Sequence, residues 1–292
     1  VPKLLQFLVN GIMVGGVYSL IALGIVLIYK STRVFNFAVG ELLAIGSFVC
    51  YSGLVSLKLP FWFSLSLTLG GALLVGASIE RFALRPLIGQ PILAAIMATL
   101  ALSLIMRGIM LFIWGASTVS YPRGIFPGGV ISSGGIVLSH ELLTAFLGSM
   151  AVFGILTFFF RRTKTGLFMR ATAEGHEIAQ SIGIRVRGIF AMTWGIGSII
   201  AAMGGIVLGN RLGVGVDVTP LVALKAFPAV LFGGLESIPG ALLGGLVIGL
   251  LENLAGGLIN PKLAEITPYI LLLVVLLLRP EGLFGLKRIE RI

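Results

Sequence analysis

The chain has 292 residues, of which 57% are hydrophobic and only 11% charged, against roughly 45–50% and 25% in ordinary soluble domains. Eleven acids and 21 bases, at a mean hydropathy of +1.09, cannot furnish a soluble surface; this excludes a soluble fold, a disordered chain and a collagen, and leaves a polytopic membrane protein. The single Cys50 allows no intrachain disulfide, and the formal charge of +10 is dispersed over short loops rather than gathered into a nucleic-acid-binding face.

A helix needs about 20 mostly apolar residues to cross roughly 30 Å of hydrocarbon. In chain order, windows of that kind predict spans at Leu4–Tyr29, Val34–Leu57, Leu59–Ile79, Ile92–Trp114, His140–Phe160 and Gly188–Asn210. Three more follow at Thr219–Leu235, Ile238–Leu258 and Ile266–Leu278. The first is read as a span rather than a cleavable leader, because its apolar run is too long and only Lys3 precedes it. The seventh is short and holds Lys225 and Pro228; a full crossing and a broken, re-entrant helix both fit it. The predicted class is therefore an all-α transmembrane bundle of about eight or nine segments, one or two of them broken or re-entrant. It forms one transmembrane domain over residues 1–292, with a polar loop at 161–187.

Lys and Arg accumulate on the cytoplasmic side. The segment Arg161–Arg187 carries six of them, so it is placed inside. Alternation then puts Lys30, Arg33, Arg81, Arg85 and the tail Arg279–Arg291 inside as well. Fourteen bases fall inside and five outside, which predicts an external N-terminus and a cytoplasmic C-terminus. The Gly-, Pro- and Ser-rich Gly115–Ser139 reads as an outer loop containing little charge, and Asp217 falls in another.

No G-x-x-x-x-G-K-[ST] string is present, so the chain does not hydrolyse ATP through a phosphate-binding loop of its own. With two histidines, one cysteine, no H-E-x-x-H and no C-x-x-C, no metal site is expected. Transport remains the main class.

Within the inner loop, Thr165 is the expected N-cap of a helix and Gly183 its left-handed stop. Phe168, Ala171, Gly175, Ile178 and Ile182 recur at spacings of three and four, on one helical face. Arg170, Glu174, Glu177 and Gln180 occupy the other faces. Gly175 weakens the middle, so one helix and two short helices both fit. Such a helix either lies flat on the lipid surface or docks a soluble partner.

The string Glu177–Gly183, with Ala179 third, resembles the E-A-A-x-x-x-G pattern of ATP-binding-cassette importer permeases, with Ile178 departing at the second position. Thr32-Arg-Val-Phe-Asn-Phe-Ala-Val-Gly-Glu41 resembles the T-R-V-x-N-F-A-x-G-E signature of branched-chain amino-acid permeases, the Liv-type membrane subunits. Glu80-Arg81 with Leu84-Arg-Pro-Leu87, and Leu224-Lys-Ala-Phe227 with Gly233-Gly234 and Ser237–Ala241, resemble further strings of that family. Four ordered matches span nearly the whole chain, and the short loops resemble the H-type partner.

The resemblance implies an importer subunit that pairs with a second homologous permease in the lipid bilayer of a bacterial or archaeal plasma membrane. It implies two cytoplasmic ATPase subunits that bind ATP and magnesium, and an external binding protein that delivers substrate; this chain would carry no cofactor. Phe168, Arg170, Glu174, Glu177, Ile178, Ala179, Ile182 and Gly183 are the expected ATPase-coupling residues. Branched-chain or related amino acids are the implied cargo; urea, short amides or another small polar solute stay open, as does an ion-coupled secondary transporter.

Ionisable groups inside spans mark candidate functional positions. Asn36, Phe37, Ala38, Gly40 and Glu41 either sit at the inner interface, with Glu41 paired to Arg33 or another base, or form a helix break lining the substrate path. Lys225, Ala226, Phe227, Gly233 and Gly234 form a second such place, read as a surface turn with Lys225 snorkelling outward or as irregular backbone facing a cavity. Arg107 either snorkels or pairs with Glu252. The glycines at 204, 205 and 209, and at 240, 244, 245 and 249, have the small-xxx-small spacing of close helix packing.

Overall fold

The computed structural model describes residues 2–122, 124–133 and 136–285. Arg123 of the predicted outer loop and Lys287, Arg288 and Arg291 of the tail lie outside the described residues. Twelve α-helices appear among the described residues, in the order α1 Pro2–Thr32, α2 Val39–Val55, α3 Phe61–Ser78, α4 Ile92–Trp114, α5 His140–Arg162, α6 Lys164–Glu174, α7 His176–Ser181, α8 Val186–Leu212, α9 Val218–Leu224, α10 Ala226–Gly233, α11 Ile238–Leu258 and α12 Leu263–Leu278. Six helical stretches are long and apolar enough to cross a membrane; α2, α9–α10 and α12 are shorter apolar helices of 10–17 residues. At 1.5 Å per residue such helices reach about 26 Å at most, so the non-helical residues at their ends contribute to any crossing.

The boundaries follow local chemistry. Pro60 and Pro91 stand just ahead of α3 and α4, where a missing N–H costs nothing. Ser237 caps α11, its Oγ accepting from the Gly240 amide at 3.0 Å. Pro228 has no N–H to give the Leu224 carbonyl four residues back, and α9 ends at Leu224. The predicted seventh span is thus broken into α9 and α10. The loop between α4 and α5 also holds two short strands, β1 Val130–Ser133 and β2 Ile136–Ser139, paired antiparallel with Val130 opposite Ser139.

The predicted second span starts late: α2 begins at Val39, not Val34. The Asn36 side-chain carbonyl accepts from the Ala38 amide at 3.0 Å, a local turn that competes with helix. Thr99 of α4 secures the same stretch, its hydroxyl donating to the Phe35 carbonyl at 3.1 Å.

The chain divides into two compact units. One comprises Val1–Val26, Gly128–Phe153 and Leu224–Ile292. Within it α1 and α11 cross with backbones almost touching: a Cβ on Gly249 would meet the Gly15 nitrogen at 2.3 Å, and one on Gly245 the Ser19 nitrogen at 2.4 Å. Ser19 Oγ lies 2.8 Å from the Leu242 carbonyl, to which it donates. The small-residue spacing is helix packing, as expected.

The other unit comprises Leu27–Pro127 and Gly154–Ala223. Here α2, α3 and α8 pack together, with Gly205 against the Leu43 carbonyl and Gly46 against Ala202. Extended segments bring Val119 and Val214 into a single antiparallel bridge. Tyr121, Val214 and Val216 are buried against Phe48, Cys50 and Met110.

Candidate functional site

The loop after α5 is built as two helices, not one. Thr163, rather than the expected Thr165, is the N-cap of α6, and its hydroxyl accepts from the Gly166 amide at 3.0 Å. α5 runs on to Arg162, so the first residue out of helical conformation is Thr163. Gly175 interrupts the helix, and α7 starts at His176. Gly183 holds φ +87, a conformation only glycine adopts freely, as the sequence predicts. The Ile184 amide donates back to the Ala179 carbonyl at 3.0 Å, closing the end of α7.

Gly166, Met169, Thr172 and Ala173 form the buried side of α6. Met169 was missed, although its spacing with Thr172 and Ala173 is the helical i, i+3, i+4 pattern. Phe168, Ile178 and Ile182 are exposed, at 40%, 70% and 68%. Glu174 and Glu177 are exposed beside them, and Ala179 is buried. The break at Gly175 means that Phe168 and the two isoleucines do not share one continuous helix face. Arg170 turns inward: its guanidinium donates to the Phe160 carbonyl and lies 5.6 Å from that ring's centroid. It anchors α6 to α5 rather than standing out as a docking charge.

At the first break, Asn36 is 1% exposed and its Nδ2 is buried without a hydrogen-bond partner. The Phe35 and Phe37 rings stack at 5.9 Å. Ala38, Gly40 and Glu41 are buried. Gly40 lies against α9, where a Cβ would meet the Pro220 Cα at 2.8 Å. The expected Glu41–Arg33 pair is not formed. Arg33 donates to the Ala173 carbonyl at 3.4 Å, and Glu41 has no ion pair among the described residues.

At the second break, Lys225 Nζ lies 2.5 Å from Glu252 Oε1, with the side chains 19% and 10% exposed. Glu252 is therefore the partner of Lys225, not of Arg107, and Lys225 does not snorkel outward. Its second oxygen, Oε2, is buried without a partner. Arg107 pairs instead with Asp217, which the sequence placed in an outer loop. Ala226 is fully buried and Phe227 partly exposed. Gly233 and Gly234 pack against backbone: Gly233 beside Gly240, Gly234 beside Gly285. The Leu283 and Phe284 amides donate to the Phe232 and Gly233 carbonyls at 2.9 and 3.2 Å.

Long apolar helices with an ion pair held inside the apolar segments define a multi-pass membrane protein. Residues 7–276 match the family described as branched-chain amino acid transport system, permease component. The high-affinity branched-chain amino acid transport system permease protein BraD of Pseudomonas aeruginosa is 33% identical over 303 residues, covering 99% of this chain and 98% of that protein. LivH of Escherichia coli K12, with the same description, is 31% identical over 310 residues, covering 99% and 97%. Among solved structures, PsaBC from Streptococcus pneumoniae in complex with Fab aligns at TM-score 0.50 and 15% identity, covering 97% of this chain and 94% of that one; the two share a fold. The chain belongs to the permease-component family of branched-chain amino acid transport systems.

Proposed function

We propose that the chain is one transmembrane subunit of an ATP-binding-cassette importer for branched-chain amino acids. The observation that carries this reading is α7: Ile178 on this short, well-terminated helix and Ile182 at its C-cap stand uncovered, in the string that resembles the ATPase-docking pattern. Two isoleucines held out on an ordered helix and its cap fit a groove in a soluble partner. In this reading the loop is cytoplasmic, the N-terminus is external and the C-terminus is internal. A second permease completes the membrane part, two ATPase subunits bind ATP and magnesium below it, and an external binding protein delivers cargo. The broken segments at Asn36–Glu41 and Lys225 supply the few dipoles and charges a zwitterion needs.

The test is leucine uptake by this chain reconstituted with the second permease, the two ATPase subunits and the binding protein. Glu177→Lys and Ile178→Asp are expected to leave the permease in the membrane while cutting ATP-driven uptake at least tenfold. Normal uptake with either substitution overturns the docking assignment. Uptake by this chain alone, without ATP, overturns the importer reading. Uptake of urea but not leucine overturns the cargo.

A further inference from the structure

Arg161 and Arg162 close α5, and Lys164 opens α6. All three are exposed. Among the described residues, none of their side chains makes an ion pair or a hydrogen bond. Cations packed so closely repel one another, and the neighbouring sequence supplies no counter-charge. The next acids along the chain are Glu141, in the first turn of α5, and Glu174, at the end of α6. At 1.5 Å per residue these lie about 30 Å and about 15 Å away along their helices.

Bases at the end of a helix ordinarily meet its last carbonyls. Here other groups do so. The Phe159 carbonyl accepts from the Thr163 amide at 3.1 Å and from the Thr163 hydroxyl at 2.7 Å. The Phe160 carbonyl accepts from Arg170. The Arg161 and Arg162 guanidinium groups therefore keep their donors free for something outside the chain.

The surface beneath them is apolar. Ile155 and Phe158 are 66% and 67% exposed. Ile155, Phe158 and the two arginines follow at helical spacings of three and four, on one face. That face of α5 passes from apolar to cationic within about 10 Å of helix rise. Leu167, three residues after Lys164, adds an exposed apolar side chain on α6. An acidic protein surface would satisfy the bases but not the apolar side chains one and two turns deeper. A phospholipid satisfies both, with its chain beside the helix and its phosphate at the helix end.

We infer that the α5–α6 junction binds an anionic phospholipid, its phosphate held by Arg161, Arg162 and Lys164 and an acyl chain lying along Phe158 and Ile155. The guanidinium fork matches phosphate oxygens, and bases at a membrane surface select anionic over zwitterionic headgroups. The inference needs only that α5 crosses a bilayer, and it does not rest on the importer reading.

The test uses the full chain without partners. It is purified in mild detergent from vesicles of equal parts phosphatidylglycerol and phosphatidylcholine, and the retained lipid is counted by headgroup. Phosphatidylglycerol is expected to be retained over phosphatidylcholine. Arg161→Gln with Arg162→Gln is expected to lower that preference about tenfold, the scale of two bases near a lipid surface. Arg185→Gln with Arg187→Gln removes the same charge from two exposed bases at the start of α8 and is expected to leave the preference unchanged. Ile155→Ser with Phe158→Ser keeps every base and is expected to lower the retained phosphatidylglycerol. Unfolding midpoints in detergent report whether each variant is folded; Arg162→Gln with Lys164→Gln repeats the comparison if the first pair does not fold. No preference in the wild type overturns the inference. An equal fall in both arginine pairs overturns it as well, by showing a diffuse attraction rather than a site. Unchanged retention in the serine variant overturns the acyl contact. If the wild type shows no preference and Arg161→Gln with Arg162→Gln instead detaches ATPase subunits from the assembled complex, the bases serve a protein partner and the lipid site is wrong.

Discussion

Lys225 and Glu252 are held in an apolar environment because each neutralises the other at 2.5 Å. Removing one partner from a buried pair leaves an unpaired charge and typically costs 3–5 kcal/mol, whereas replacing both with apolar residues is often neutral. Lys225→Met is therefore expected to lower the thermal unfolding midpoint in detergent by several degrees, and Lys225→Met with Glu252→Met to recover most of it. If the double variant is no more stable than the single one, the pair is not what holds these residues in place. Gly183 gives a second test at this scale. Its φ of +87 costs a β-branched residue about 1–2 kcal/mol, while Asn tolerates it. Gly183→Val is expected to cut coupling of ATP hydrolysis to uptake, and Gly183→Asn to retain most of it. Equal loss in both variants would show that something other than backbone conformation matters there.

At the scale of elements, sequence and structure agree best where a span ends on punctuation. α4 matches its predicted bounds, Ile92–Trp114, with Pro91 before it and Gly115 after it. α11 matches Ile238–Leu258, with Ser237 as cap and Pro239 in its first turn. The start of α2 was misplaced because hydropathy is blind to Asn36 capturing the Ala38 amide and to Thr99 holding Phe35. The hairpin of β1 and β2 leaves little trace in the sequence because its four-residue strands sit in a Gly- and Ser-rich loop. Pro228 marks the break between α9 and α10 in the sequence itself, and its consequence is testable. Pro228→Ala restores an N–H for the Leu224 carbonyl, so α9 and α10 are expected to fuse into one helix. Hydrogen exchange at residue 228 should then be slow, and uptake should fall if the break at Lys225 works in transport. Fast exchange at 228 would mean that Pro228 does not cause the break.

At the scale of the whole chain, the class was readable from composition, but which charge meets which was not. Glu252 lies 27 residues from Lys225, and Asp217 lies 110 from Arg107; local pattern carries no information over such separations. The Arg107–Asp217 pair is also exposed, at 48% and 66%. Arg107 lies seven residues before the end of α4, about 10 Å along the helix axis. Charges at such a depth face protein or water rather than lipid. The face of α4 that carries Arg107 is therefore expected to be covered by the second permease or an aqueous path, and the opposite face to meet lipid. Leu104 and Leu111, at i−3 and i+4, share the Arg107 face; Ile105 and Phe112 lie across the helix, and all four are exposed. In the assembled complex, with Cys50 replaced by Ala, single cysteines at Ile105 and Phe112 should react with a lipid-resident maleimide. Those at Leu104 and Leu111 should be protected from it. Equal labelling at all four positions would place the ion pair in lipid and remove this face of α4 from the interface.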